Sequence, residues 1–196
     1  MEVAMNKKLI IFTGPSGVGK GTIEKLLFKN KDLKLKFSRS ATTRKPRIGE
    51  KDGIDYFFLD HKTFEDKIAN NEFIEWNKHF DNYYGTLHSE IDGILRSGYN
   101  AFLEIETTGA LNILDFYIKR NKLDNIISIF VMPPSLEELK SRIINRGTEN
   151  EEQINKRLKK AENEIKIADK FKHKVINENL EQVTEEIKNI LNQGLN

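Results

Sequence analysis

The sequence predicts an α/β fold, a parallel sheet core flanked by helices and interrupted by a small α+β insertion. Three observations carry this prediction. Short apolar runs alternate with longer segments of helical periodicity, the pattern of a parallel sheet covered on both faces. A glycine-rich stretch, Gly14 to Thr22, stands between the first such run and the first periodic segment. Between Phe37 and Thr86 the rhythm breaks into shorter alternating pieces.

In order, Lys8 to Thr13 is a strand, and Lys20 to Lys29 is a helix with Ile23, Leu26 and Leu27 on one face. Asp55 to Leu59 and Phe73 to Trp76 alternate as short strands, with a small helix from Thr63 to Ala69 between them. The larger rhythm resumes with a helix near Ser89 to Arg96, a strand Ala101 to Glu106, a helix Thr108 to Lys119 and a strand Ile126 to Met132. Pro133-Pro134 ends that strand, because proline donates no backbone hydrogen bond. Ser135 and Glu138 have capping-box spacing for a helix reaching about Asn145, with Gly147 as its stop. The acidic stretch Glu149 to Glu152 precedes a long helix reaching Ala168, and a strand Lys174 to Ile176 and a helix Glu181 to Leu191 close the chain.

At 196 residues the chain suits one domain, and 38% hydrophobic with 32% charged residues is a soluble, globular composition. No apolar run approaches the roughly 18 residues of a membrane span. Thirty-two basic residues nearly balance 30 acidic ones, so no global field draws the protein to nucleic acid or a membrane. Without cysteine there is no disulfide framework, thiolate metal site or cysteine nucleophile. Met1 to Lys8 lacks the apolar stretch of a secretory signal, so the expected compartment is the cytoplasm, and a monomer is expected over an oligomer. His61, His79, His88 and His173 lack paired metal-ligand spacing.

Gly14-Pro-Ser-Gly-Val-Gly-Lys20 fits the phosphate-binding pattern G-x-x-x-x-G-K, placed after a strand and at a helix start. Glycines let the backbone N–H groups of Gly14, Ser16, Gly17, Val18 and Gly19 converge on phosphate oxygens, the helix dipole adds positive potential, and Lys20 reaches the β and γ phosphates. The bland alternative is a tight turn. The position after the lysine, which ordinarily supplies a magnesium-binding hydroxyl, is Gly21, and the hydroxyl comes one residue later in Thr22.

Motors, GTPases and small-molecule kinases share such a loop, so the second substrate must be read elsewhere. Ser40-Ala-Thr-Thr-Arg44-Lys-Pro-Arg47-Ile-Gly-Glu50, Asp52-Gly-Ile-Asp-Tyr56, Glu75-Trp76 and Tyr83-Tyr84-Gly-Thr86 form a series that resembles the monophosphate-binding region of guanylate kinases. The resemblance runs from the phosphate loop to Asn177. It implies the P-loop three-layer fold with core segments 1–36, 88–140 and 160–196, a GMP-binding subdomain at about 37–87, and a short helical lid at about 141–159 that moves around Arg146 to Glu152.

It also implies ATP:GMP phosphotransfer with magnesium. Arg44, Arg47, Tyr56 and Tyr84 would hold the acceptor phosphate with Glu50 nearby, and Glu75 would read guanine. A carboxylate accepts from the adjacent N1–H and 2-amino donors of guanine and repels the N1 acceptor of adenine, while the Ser40 and Thr86 hydroxyls donate to O6. Arg142, Arg146 and Arg157 would close on the transferring phosphoryl group, which needs charge neutralisation rather than a nucleophilic side chain. Asn177 would lie on the adenine side of ATP. Glu104 and Glu106, where relatives have aspartates, would serve the acceptor, with Thr22 and, through water, Glu104 as candidate magnesium contacts.

On composition alone the arginines and tyrosines also read as a solvated basic loop and packed aromatics, Glu75 as a surface residue, and Glu104 and Glu106 as ordinary strand-end charges. Two rival functions stand beside the kinase: a guanylate-kinase-like module that binds phosphorylated partners without catalysis, and another monophosphate kinase, suggested by Gly19-Lys-Gly-Thr22.

Overall fold

The computed structural model describes residues 7–79, 81–145 and 151–195. In chain order the strands are β1 (Leu9–Thr13), β2 (Leu35–Phe37), β3 (Ala41–Thr42), β4 (Phe57–Phe58), β5 (Phe73–His79), β6 (Asn82–Leu87), β7 (Asn100–Glu104), β8 (Ile126–Met132) and β9 (His173–Ile176). The helices are α1 (Lys20–Leu27), α2 (His61–Ala69), α3 (His88–Arg96), α4 (Thr107–Ile118), α5 (Leu136–Ile144), α6 (Glu151–Lys166) and α7 (Leu180–Leu195).

The main sheet has the order β2-β7-β1-β8-β9, and each of its pairings is parallel. All five residues of β1 are buried, as a central strand covered on both faces requires. One face packs Ile10 and Phe12 with Ile23 and Leu27 of α1 and Val183, Ile187 and Leu191 of α7. The other packs Leu9 and Ile11 with Ile91 and Ile94 of α3 and Ala110, Ile113 and Leu114 of α4. This is the expected three-layer α/β arrangement.

The insertion is a second sheet, β4-β3-β6-β5, with its own cluster of Ala41, Phe64, Phe73 and Leu87. The pairing of β3 and β6, and of β5 and β6, is antiparallel. Strands β2, β3 and β6 have no counterpart in the sequence reading: two or three residues cannot display alternation, and β6 carries Asn82 and Gly85 among its six. Ser135 caps α5 by accepting from the Glu138 N–H at 3.0 Å, half of the expected capping box.

One strand boundary is corrected. The strand predicted to reach Glu106 ends at Glu104, and Glu106 is the N-cap of α4 with φ −62° and ψ 151°. The chain leaves the sheet early because the Thr13 hydroxyl donates to the Ile105 carbonyl at 2.8 Å, turning the strand end toward α4. The expected stop at Gly147 and the centre of the expected lid lie outside the described residues. On either side, α5 and α6 pack through Leu139, Ile143 and Ala161, with Ile154 and Leu158 against them.

Candidate functional site

The loop after β1 takes its shape from two glycines. Gly14 has φ +146°, and a Cβ there would lie 2.3 Å from the Val131 carbonyl oxygen. Gly19, the left-handed N-cap of α1 at φ +103°, would press a Cβ to 2.4 Å from Nδ2 of Asn177. Only glycine satisfies both demands. Asn177 donates from Nδ2 to the Val18 carbonyl at 2.8 Å, and Arg142 donates to the Asn177 carbonyl at 3.0 Å and to Val18 at 3.4 Å. These two expected nucleotide-facing residues thus clamp the outer side of the loop, and Arg142 also pairs with Glu138 at 3.1 Å.

Inside the loop, Lys20 folds back to donate to the Gly14 carbonyl at 2.8 Å and lies 3.8 Å from Glu104. Burial lowers its pKa, against the opposing pull of Glu104. A cavity of about 380 Å³ opens over this point, bordered by Gly14, Ser16, Gly17, Gly19, Lys20 and Gly21, and on its far side by Tyr56, Glu104, Ile105, Glu106, Lys160 and Glu164. Arg157 reaches the loop, donating to the Ser16 hydroxyl at 3.2 Å. Thr22 is exposed and does not border the cavity. Arg146 lies outside the described residues.

A second cavity of about 250 Å³ adjoins the first and shares Tyr56, Glu104, Ile105 and Glu106 with it. Its remaining walls are Ser40, Glu75, Asn77, His79, Tyr84 and Gly85. Glu75 is only 6% exposed. A register irregularity between Phe73 and Glu75 breaks the alternation of β5, so Phe73, Ile74 and Glu75 are all buried. Glu75 lies across from Thr86 of β6, whose hydroxyl donates to Oε1 at 2.8 Å, while Oε2 is buried with no hydrogen-bond partner. Burial pushes the Glu75 carboxyl up to about 7, against the lowering effect of the Thr86 hydrogen bonds. Thr86, expected to face a base oxygen, here holds Glu75 instead.

Arg44 and Glu50 form a two-pronged pair, each guanidinium nitrogen 2.9 Å from a carboxylate oxygen, and Glu50 also accepts from the Arg47 backbone N–H at 2.7 Å. This holds Glu50 below, and Arg44 above, its ordinary pKa. The Arg44 guanidinium lies 5.3 Å from the centre of the Tyr56 ring. Arg47 is exposed on the loop. Neither arginine borders the second cavity, whereas Ser40, Tyr56, Glu75, Tyr84, Glu104 and Glu106 do.

Three further residues escaped sequence reasoning. Lys160 pairs with Glu106 at 3.1 Å, and Glu164 is half-buried with its carboxyl raised by burial. They lie three and seven residues beyond Arg157 on α6, so helical periodicity places them on its face. Glu24, one turn beyond Lys20, is 7% exposed with Oε1 lacking a partner. Its carboxyl meets that of Glu104 and is raised to about 8, first by burial and then by Glu104.

Comparison with known proteins accords with this geometry. The guanylate kinase family model matches residues 6–194. The chain belongs to the guanylate kinase family. It is 55% identical to the guanylate kinase of Mycoplasma mobile over 188 residues, covering 96% of this chain and 94% of that protein. It is 44% identical to the guanylate kinase of Bacillus subtilis, covering 93% and 87%. The crystal structure of guanylate kinase from Anaplasma phagocytophilum shares the fold with a TM-score of 0.70 at 30% identity, covering 95% of this chain and 85% of that one. Among the described residues no helix is long and apolar enough to cross a membrane.

Proposed function

We infer that this chain is a guanylate kinase, an enzyme that transfers the γ-phosphoryl group of ATP to GMP and yields ADP and GDP. One observation carries the reading: two adjoining cavities share a wall of Tyr56, Glu104, Ile105 and Glu106, one floored by a phosphate loop and the other ending on a buried carboxylate with a free oxygen. Two nucleotides bound there would meet phosphate to phosphate.

In this reading the loop amides and the α1 N-terminus hold the donor's phosphates, and Lys20 leaves the Gly14 carbonyl for the β and γ oxygens. Glu75 accepts the N1–H and 2-amino donors of guanine through the unpartnered Oε2 and through Oε1, which Thr86 steadies, and Ser40 serves O6. Tyr56 and Tyr84 offer hydroxyls to the acceptor phosphate. Arg44 and Arg47 supply its counter-charge, Arg44 by exchanging Glu50 for the phosphate. Arg142, Arg146 and Arg157, all within the proposed lid, bring further positive charge over the transferring group, and Asn177 lies beyond Gly19 on the donor base side. The acceptor phosphate attacks in line, so the protein's part is positioning, charge neutralisation and exclusion of water. We propose residues 37–87 as the GMP-binding subdomain and 141–159 as the lid, the rest forming the core.

Magnesium fits the site. The Glu24 and Glu104 carboxyls meet beside Lys20, with one buried oxygen of Glu24 unpartnered, and a cation that keeps its waters needs only one or two carboxylates beside the phosphates. Glu104 and Glu24 would hold it, directly or through water, in place of the hydroxyl absent at Gly21. When bound it neutralises charge on the β and γ phosphates. We further propose that the enzyme acts as a cytoplasmic monomer.

An acceptor panel tests this reading. With ATP and magnesium, coupled ADP release is expected with GMP far above that with AMP, UMP or dTMP, and equal turnover of any of these would refute guanine recognition.

A further inference from the structure

The chain crosses between its two sheets twice. The outward crossing is the segment from β2 to β3, and the return is the junction of β6 with α3. At the outward crossing, Ser38 still donates its N–H to Phe102 of the main sheet at 2.9 Å, while Ser40 already accepts from Phe57 of the small sheet at 3.0 Å. Arg39 is the single residue between them. Glu90 stands in the first turn of α3, just past the return crossing.

Arg39 joins these points. Its Nε lies 2.8 Å and its backbone N–H 3.3 Å from Oε1 of Glu90, and its Nη2 lies 3.2 Å from Oε2. Its remaining prong, Nη1, donates to the carbonyl of Gly53, and the guanidinium covers the Phe57 ring at 5.1 Å. The Arg39 side chain is 29% exposed and that of Glu90 10%, so the pair is shielded from much of the solvent screening that weakens surface ion pairs. Gly53 opens the turn whose N–H donates to the Tyr56 carbonyl at 2.8 Å, and Asp52 steadies the same turn by accepting from Phe58 at 2.8 Å. Tyr56 is one of the four residues that border both cavities.

We propose that Arg39 is a positioning residue for the acceptor site, pinning both sheet crossings together through Glu90 and fixing the Gly53–Tyr56 turn so that Tyr56 stands between the two nucleotides. The role requires an arginine, because one planar group must satisfy both oxygens of Glu90 and a carbonyl on its other edge, which a lysine ammonium cannot span. This inference rests on the reading that Tyr56 faces the acceptor phosphate.

The test compares R39A, R39K, Y56F and R39A/Y56F in the full chain. Amide hydrogen exchange of the substrate-free protein is expected to quicken at Gly53 and Phe58 in both Arg39 variants and to stay at the wild-type rate in β1 and β8. R39K keeps a cation against Glu90, so its result stands even if R39A folds poorly. KM for GMP is expected to rise about tenfold in R39A, less than the roughly hundredfold that a full 1 Å misplacement can cost, with KM for ATP within twofold of wild type. The double variant is expected to be no worse for GMP than the weaker-binding single variant. Unchanged exchange at Gly53 overturns the anchor itself. Faster exchange with an unchanged KM for GMP, an equal rise for ATP, or multiplying effects in the double variant overturns the positioning role. A wild-type KM for GMP in Y56F refutes the underlying reading of Tyr56, a failure distinguishable because the exchange measurement uses no substrate.

Discussion

Replacing Glu75 with glutamine is expected to make the protein relatively more stable at alkaline pH while removing its use of GMP. In the folded protein burial raises the Glu75 carboxyl from 4.5 to about 7. The folded state therefore binds this proton more tightly than the unfolded chain does. Stability from that proton is fully present below about 4.5 and is lost as pH rises through about 7. At about 1.4 kcal/mol per pH unit, ionisation in the folded state costs on the order of 3 kcal/mol above that range. Glutamine keeps the shape and the acceptor for the Thr86 hydroxyl but cannot ionise.

Urea denaturation at pH 5 and pH 8.5, followed by the fluorescence of Trp76, the chain's single tryptophan, reads this directly. Any fixed cost of the new amide enters at both pH values and cancels in the comparison. Between pH 5 and pH 8.5 the stability of E75Q relative to wild type is expected to improve by about 2–3 kcal/mol. In the same variant kcat/KM for GMP is expected to fall on the order of a hundredfold or more, since an amide N–H would oppose a guanine donor, with a smaller effect on ATP binding. A stability difference that is the same at both pH values would refute the buried-carboxylate argument, and equal losses for GMP and ATP would refute the base-reading role.

For wild type, KM for GMP is expected to fall as pH rises from 6 to 8, because guanine binds the ionised Glu75; E75Q should lack that slope beyond what GMP's own phosphate contributes in both proteins. Lys20→Ala is expected to lower kcat on the order of a thousandfold while fluorescence titration still detects GMP, separating an enzyme from a binding module. Glu24→Gln should raise the magnesium concentration needed for half-maximal binding of a fluorescent ATP analogue several-fold, and an unchanged requirement would remove Glu24 from the cation's surroundings. Gly14→Ala drives a Cβ to 2.3 Å from the Val131 carbonyl at φ +146°, so denaturation should show a loss of about 2–4 kcal/mol or an unfolded chain.

What could be read from the chain was local. The glycine loop is legible because strand, turn and helix start lie within a dozen residues, and the Ser135 cap because Glu138 is one turn away. Arg44, Glu50 and Tyr56 form a cluster within one loop, and their association follows from proximity in sequence. Other features depend on residues brought together from far apart. Glu75 looks like a surface residue beside exposed Trp76 until the irregularity in β5 and the covering helix α4 bury it against Thr86. Lys160 and Glu164 become site residues because α6 lies across the end of β7, and Glu24 because α1 sets it against Glu104. Arg39 reads as one more charge in a basic stretch, yet its partners are 51 residues ahead and 14 residues ahead. The sequence by itself determined that the protein cradles nucleotide phosphates, because phosphate cradling is a short-range property of backbone shape and helix start. Tertiary structure alone decided which carboxylates are buried, paired or left with a free oxygen, because desolvation and pairing depend on neighbours that only the packed sheets supply.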